Sequence, residues 1–142
     1  MVFLLAFLGT FCWGLAPLFG KLGLAQVNPL TALALRTFLT GIILTGWFGA
    51  TRGFGEFQQI PVKVWIFITF EALLATILGD LAYFSALKIG NINDVTIIMS
   101  TSPMVTLILS HLFLGEHIHP YQIAGILFVI AGLVLVGLQP KF

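Results

Sequence analysis

The sequence predicts an all-α, polytopic membrane protein with five transmembrane helices. Three observations carry that reading. The chain has 142 residues, of which 59% are hydrophobic and only 8% charged, and its mean hydropathy is +1.11. A soluble domain carries about a quarter charged residues. The apolar residues fall in long continuous blocks rather than in the alternating pattern of a membrane β-barrel strand. Short clusters of Asn, Gly, Asp and Pro separate the blocks. A spanning helix needs about 20 mainly apolar residues, so this length holds about five spans and leaves no room for a cytosolic domain. A net charge of +1 argues against a nucleic acid or another anionic polymer as partner. The one cysteine, Cys12, lies in an apolar run and says nothing about redox compartment.

The first span is expected over 2–25. It lacks the basic leading segment of a signal peptide, is too long for its apolar region, and is followed by further spans. Gln26-Val27-Asn28-Pro29 turns the chain, because Pro29 lacks a helix donor and Asn28 suits a turn or cap. The second span covers 30–50. The most polar stretch, Thr51 to Lys63, reads as an interfacial loop. A third span over 62–87 opens with Trp65 near the interface, where indole rings are favoured. Lys88 to Asp94 forms the next turn, and the fourth span covers 95–114. Gly115 stops it, Pro120 starts the fifth helix, and the last span covers 121–138.

Lys and Arg in the connecting loops set orientation. Arg52 and Lys63 lie on the side of the N-terminus (side A), and Lys88 and Lys141 lie on the other (side B). The count is even. Including Lys21 and Arg36 as near side B gives four against two. A chain so weakly biased is a candidate for dual topology and an antiparallel homodimer; the plain alternative is that so small a chain has few loop charges.

Lys21, Arg36, Glu71 and Asp80 fall within spans. An ionisable group at the bilayer centre costs about 2.5–3.5 kcal/mol or more, so each should face protein or water. Counting residues from the span midpoints puts Lys21 about 11 Å, Arg36 about 6 Å and Asp80 about 8 Å from midplane toward side B. Glu71 lies about 5 Å toward side A. Asp80 is placed to neutralise Arg36 or Lys21. Trp13, Pro17 and Lys21 form one stripe at helical spacing, and Arg36, Thr40, Ile43 and Trp47 form another. At 100° per residue Glu71 and Asp80 fall on nearly opposite faces. Lys21 and Arg36 then read as contacts for an anionic or zwitterionic solute. A structural ion pair, or snorkelling of Lys21, accounts for them equally.

In the fourth span Thr96, Ser100, Pro103 and Ser110 share a face. Pro103 frees a carbonyl one turn back, which Ser or Thr side chains can satisfy. The face reads as a kinked, hydroxyl-lined wall of a polar pathway, or as helix contact surface. Ala124-Gly125 and Ala131-Gly132 recur seven apart in the fifth span and read as helix packing. His111, His117 and His119 lack the partners of a metal site, and a solvated helix end explains them. No catalytic motif supports an enzyme, and no cofactor is implied.

Trp13-Gly14, Lys21, Pro29 and Arg36 together resemble the opening of the EamA-type unit of the drug/metabolite transporter superfamily. Tyr83-Phe84-Ser85-Ala86-Leu87, Ser102-Pro103 with Val105 and Thr106, Leu112-Phe113-Leu114-Gly115-Glu116, Gln122 and Gly125 resemble its second half in order and spacing. The resemblance implies a single domain over 1–142, a five-helix unit that usually occurs twice per chain in opposite orientations as an exporter of small metabolites. One unit is half of an inverted-repeat transporter, and two copies inserted oppositely would rebuild the pair. The solute site of such repeats lies near midplane at their interface. There the Trp13, Pro17 and Lys21 stripe and the Arg36 and Thr40 stripe would contribute twice, with Ser100 and Pro103 on the wall. Glu71 and Asp80 stand outside the resemblance, and the two are candidates for proton coupling or for an ion pair. The smaller four-helix exporters of the superfamily rely on an acidic residue in the first span, and none occurs here before Glu56. Amino acids and other anionic or zwitterionic metabolites are therefore favoured over lipophilic cations. The expectation is a metabolite exporter of the bacterial cytoplasmic membrane, its partners the lipid bilayer, the solute and a second copy. A non-transporting subunit of a lipid-processing or flippase complex, or a half-transporter needing an oppositely oriented partner protein, are the alternatives.

Overall fold

The computed structural model describes residues 1–51 and 53–138. Arg52 and Lys141, both counted in the loop-charge balance, lie outside the described residues. Among those described, five helical stretches are long and apolar enough to cross a membrane: Val2–Gly23, Pro29–Thr51, Val62–Ile89, Ile92–Leu114 and Pro120–Gly137. They match the expected spans to within three residues at each end. Two of the five are not uniform α-helices; the sequence reading expected an irregularity in the fourth span, at Pro103, and none in the third.

The chain forms two compact units, Met1–Ile89 and a second beginning at Gly90. In the first, α1 (Val2–Gly23) and α2 (Pro29–Thr51) both pack against α4 (Asp80–Ile89). Asn28 caps α2, its Oδ1 accepting from Thr31 N at 2.7 Å, with Pro29 at the first helical position. The buried apolar side chains of this unit are Pro17, Leu24, Leu33, Phe84 and Leu87. Leu24 and Leu87 are fully enclosed. Nearly every other large apolar side chain is exposed, as expected where the solvent is lipid and only helix contacts need burial.

The connection from α2 to α3 (Val62–Ala72) is a 3₁₀ turn, Gly53–Gln59, where the sequence suggested an irregular loop. Phe48, Phe54, Phe57 and Trp65 cluster around it, with ring centroids 5.2–6.3 Å apart. Aromatic rings of this kind sit well at the membrane–water boundary.

Between α3 and α4 the third span widens into a π-helical stretch, Leu73–Gly79. A Cβ on Gly79 would lie 3.1 Å from the Leu74 carbonyl oxygen, five residues earlier. Glycine leaves that carbonyl room. The stretch also changes the angular step per residue, so the α-helical phase that set Glu71 opposite Asp80 does not run through it.

In the second unit the fourth span is broken. Helix α5 (Ile92–Met99) is capped by Asn91, whose Oδ1 accepts from Asn93 N at 3.0 Å. Helix α6 (Ser102–Leu109) restarts two residues after α5 ends, with Pro103 in its first turn, where the missing N–H costs nothing. The sequence suggested a kink with Ser or Thr covering the carbonyl one turn before Pro103. Instead Ser100 Oγ donates to Ile97 O at 2.6 Å and Thr101 Oγ1 to Ile98 O at 2.7 Å. The hydroxyls cover carbonyls at the end of α5. A π-helical turn, Ser110–Leu114, ends the span at Gly115, whose φ of 68° is left-handed. Helix α7 (Pro120–Gly137) packs against α5.

Candidate functional site

In the first unit Arg36 of α2 forms an ion pair with Asp80, the first residue of α4, through its Nη2 and the Asp80 Oδ2. The guanidinium also lies over the Phe84 ring, 5.1 Å from its centroid. That ring is one helical turn beyond Asp80, so a single face of α4 offers the guanidinium a carboxylate and a π surface. Counting from the span midpoints, Arg36 and Asp80 lie about 6 and 7 Å from midplane. At that depth neither charge is tolerable alone, and each neutralises the other. The pair is still open, with side-chain exposures of 44% and 28%. One turn from Asp80, the Tyr83 hydroxyl is buried and has no hydrogen-bond partner among the described residues. It is the kind of donor that a bound polar group would satisfy.

Lys21 has different partners. Its ammonium donates to Leu87 O, with Lys88 O at 3.5 Å, at the C-terminal end of α4. Lys88 in turn donates to Leu24 O at 2.8 Å and Val27 O at 2.7 Å, just past the end of α1. Carbonyls in the last turn of a helix lack intrahelical donors and carry the negative end of its dipole. Both lysines are spent there. The expectation that Asp80 neutralises Arg36 or Lys21 resolves to Arg36.

The remaining expected residues are dispersed. Trp13 is 83% exposed, whereas Pro17, on the same stripe of α1, is buried. Thr40 Oγ1 donates to Arg36 O at 2.9 Å, tying it to its own helix one turn above the guanidinium. Glu71 is exposed and has no ion pair with a described residue. In α7, a Cβ on Gly125 or on Gly132 would meet no described atom of the second unit within 4 Å.

Within the second unit, Ser100 and Pro103 line a cavity of only about 20 Å³. A larger, open one of about 450 Å³ lies beside α6, where Ser102, Thr106, Ser110, Glu116, His117 and Gln122 contribute polar groups. Thr106 Oγ1 donates to Ser102 O at 3.3 Å and Ser110 Oγ to Leu107 O at 3.1 Å. Their protons are committed to backbone, which leaves oxygen lone pairs for the cavity. His111 Nδ1–H donates to Glu116 O at 2.8 Å, and Gln122 Oε1 accepts from His119 N at 2.8 Å. These bonds fold the loop from Gly115 to His119 against the helix ends.

Sequence reasoning missed Phe84, Tyr83 and Lys88 as participants. The signals were present: Asp80, Tyr83 and Phe84 are spaced at 0, 3 and 4, and Lys88 sits at a helix end.

Five apolar helices with a paired Arg and Asp at membrane depth define an integral membrane protein with a polar device inside the bilayer. The model of the EamA-like transporter family matches residues 1–138, and the chain belongs to that family. An uncharacterized transporter encoded in a cobO 3′ region of Sinorhizobium sp. is 32% identical over 87% of this chain and 86% of its own length. The uncharacterized transporter YxxF of Bacillus subtilis is 28% identical over 92% of this chain but only 40% of its own length. The riboflavin transporter ImpX of Fusobacterium nucleatum is 27% identical over 94% of this chain and 45% of its own length. The chain thus spans most of one relative and less than half of the others. No solved structure matches it.

Proposed function

We propose that this protein is a secondary transporter of small metabolites, amino acids or other carboxylates among them, working as an antiparallel homodimer in the bacterial cytoplasmic membrane. The observation that carries the reading is the open Arg36–Asp80 pair at membrane depth. An ion pair wholly covered by its own unit could not offer its cation to a solute. This one remains partly exposed and presents a guanidinium with most of its donors unspent. Trp13 and Thr40, on the same two helices, belong to the proposed solute path. Relatives of about twice this length support a second unit as partner. The sequence match to a relative of this chain's own length supports that partner being a second copy.

The test is flux of radiolabelled amino acids into vesicles carrying the purified protein, native or Arg36→Ala. Flux in the native protein, lost in a variant that still reaches the membrane and assembles, supports the reading. No flux in the native protein overturns it. Flux only after addition of a second membrane protein would favour a half-transporter completed by a different chain.

A further inference from the structure

We propose that Arg36 and Asp80 form an exchange point at which the protein takes up one carboxylate group together with one proton. The inference rests on the transporter reading above and adds the coupling ion and the way Arg36 and Asp80 exchange partners.

The geometry is the starting point. Asp80 engages one nitrogen of the guanidinium, Nη2, through one oxygen. A guanidinium has five N–H donors in a planar fork that matches a carboxylate bidentately. The fork is therefore underused, and the pair is open enough for a small carboxylate to reach it. Phe84 holds the guanidinium from behind while its carboxylate partner changes. The unpartnered Tyr83 hydroxyl lies one turn from Asp80 and supplies a donor to whichever acceptor group is left there.

The exchange balances as follows. The solute carboxylate takes the Arg36 fork, and Asp80 loses its counter-ion. An unpaired carboxylate at membrane depth favours its neutral form, so Asp80 takes a proton from water. The solute-loaded site thereby holds Arg36 as a cation, the solute as an anion and Asp80 neutral. For a solute of net charge −1 that charge equals the charge of the empty site, in which Arg36 and Asp80 cancel; a zwitterionic amino acid brings one further positive charge on its ammonium. On release the proton leaves Asp80, which reclaims the fork as the solute departs. No bond other than O–H forms or breaks.

Among the described residues of the first unit, few titratable groups surround Asp80. From α2 it faces Arg36. On α4 its titratable neighbour is Tyr83, and Lys88 is bound at the far end to Leu24 O and Val27 O. From α1 comes Lys21, held about two turns away at Leu87 O and Lys88 O. Glu71 lies beyond the π-helical stretch on the same span and is exposed.

The experiment is calorimetric binding of L-threonine, L-glutamate and benzoate to the native protein in lipid nanodiscs, in two buffers of different ionisation enthalpy. The expected result is uptake of about one proton per bound solute, with apparent affinity falling by about tenfold for each pH unit over which that proton is taken up. In Asp80→Asn the proton uptake and the pH dependence should both vanish while binding persists; in Arg36→Gln binding should vanish. Binding to the native protein without proton uptake overturns the proposal, as does an Asp80→Asn variant that keeps the native pH dependence. Failure of all three probes to bind overturns it too. If Asp80→Asn does not assemble, the proton count of the native protein decides alone. Vesicle flux separates this proposal from its parent: flux without proton linkage defeats only the exchange, and absence of flux defeats the transporter.

Discussion

Lys21 and Lys88 each reach across to cap the other's helix. The Lys21 ammonium donates to the carbonyl of Leu87, and Lys88 donates to those of Leu24 and Val27. Helices α1 and α4 end side by side, so the negative ends of two helix dipoles meet there, and the two cations lie between them. Around this clasp sit the two fully enclosed side chains of the first unit, Leu24 and Leu87. The clasp fixes α1 against α4, and α4 carries the Asp80 carboxylate.

Replacing either lysine by Met should therefore lower stability by about 1.5–3 kcal/mol, the range for a hydrogen bond to a charged donor. Because both hold the same two helices together, the double variant should lose less than the sum of the singles. Thermal unfolding in nanodiscs, analysed as a double-mutant cycle, checks this. Additive losses would show that the two caps act independently.

Removing one partner of the Arg36–Asp80 pair strands a charge where insertion costs about 2.5–3.5 kcal/mol. Arg36→Ala and Asp80→Ala should each be less stable than the double Ala variant, by about 2–3 kcal/mol. The same unfolding assay reads it. A double variant no better than either single would mean that water already screens both charges.

The fold was legible in the sequence where chemistry is blunt. Apolar blocks gave five spans, Asn28-Pro29 marked a helix start, and Gly115 and Pro120 marked a stop and a start. The interior irregularities were not legible. The stretch Leu73–Gly79 is apolar but for Thr76, so nothing in its composition separates a π turn from an α turn, and Gly79 reads like any small residue in a membrane helix. Pro103 signalled an irregularity correctly, but a kink and a restart share that signal, and only the bonds of Ser100 and Thr101 tell them apart. Depth and charge made Asp80 a partner for Arg36, because membrane burial leaves an ionisable group few options, and the structure pairs them. The same argument placed Lys21 inside the span without showing that helix-end carbonyls, which every sequence has, would take its charge.

Gly79 accordingly becomes a test of the π stretch. A methyl group there would press on Leu74 O at 3.1 Å, so Gly79→Ala should cost about 1–3 kcal/mol by overpacking or shift the stretch toward α geometry. Either response moves Asp80 relative to Arg36, and flux should fall more than stability alone explains. Flux per folded molecule, measured beside unfolding, checks this; an unchanged value would make the π stretch irrelevant to the site.

At Gly115 the left-handed φ of 68° excludes a side chain at low cost. Gly115→Ala should destabilise by about 1–2 kcal/mol, and Gly115→Asn by less, since Asn tolerates that region. Thermal unfolding of the two variants gives the order directly. An Ala variant as stable as native would mean that the loop relaxes without strain.

The measurement that bears most directly on an antiparallel homodimeric transporter is topology. Single cysteines at Gln58, in the turn after α2, and at Gly90, after α4, would be placed in a Cys12→Ser background and labelled with an impermeant thiol reagent from each face of the membrane. Labelling of each position from both faces is the predicted result. Labelling of each position from one face alone would contradict it.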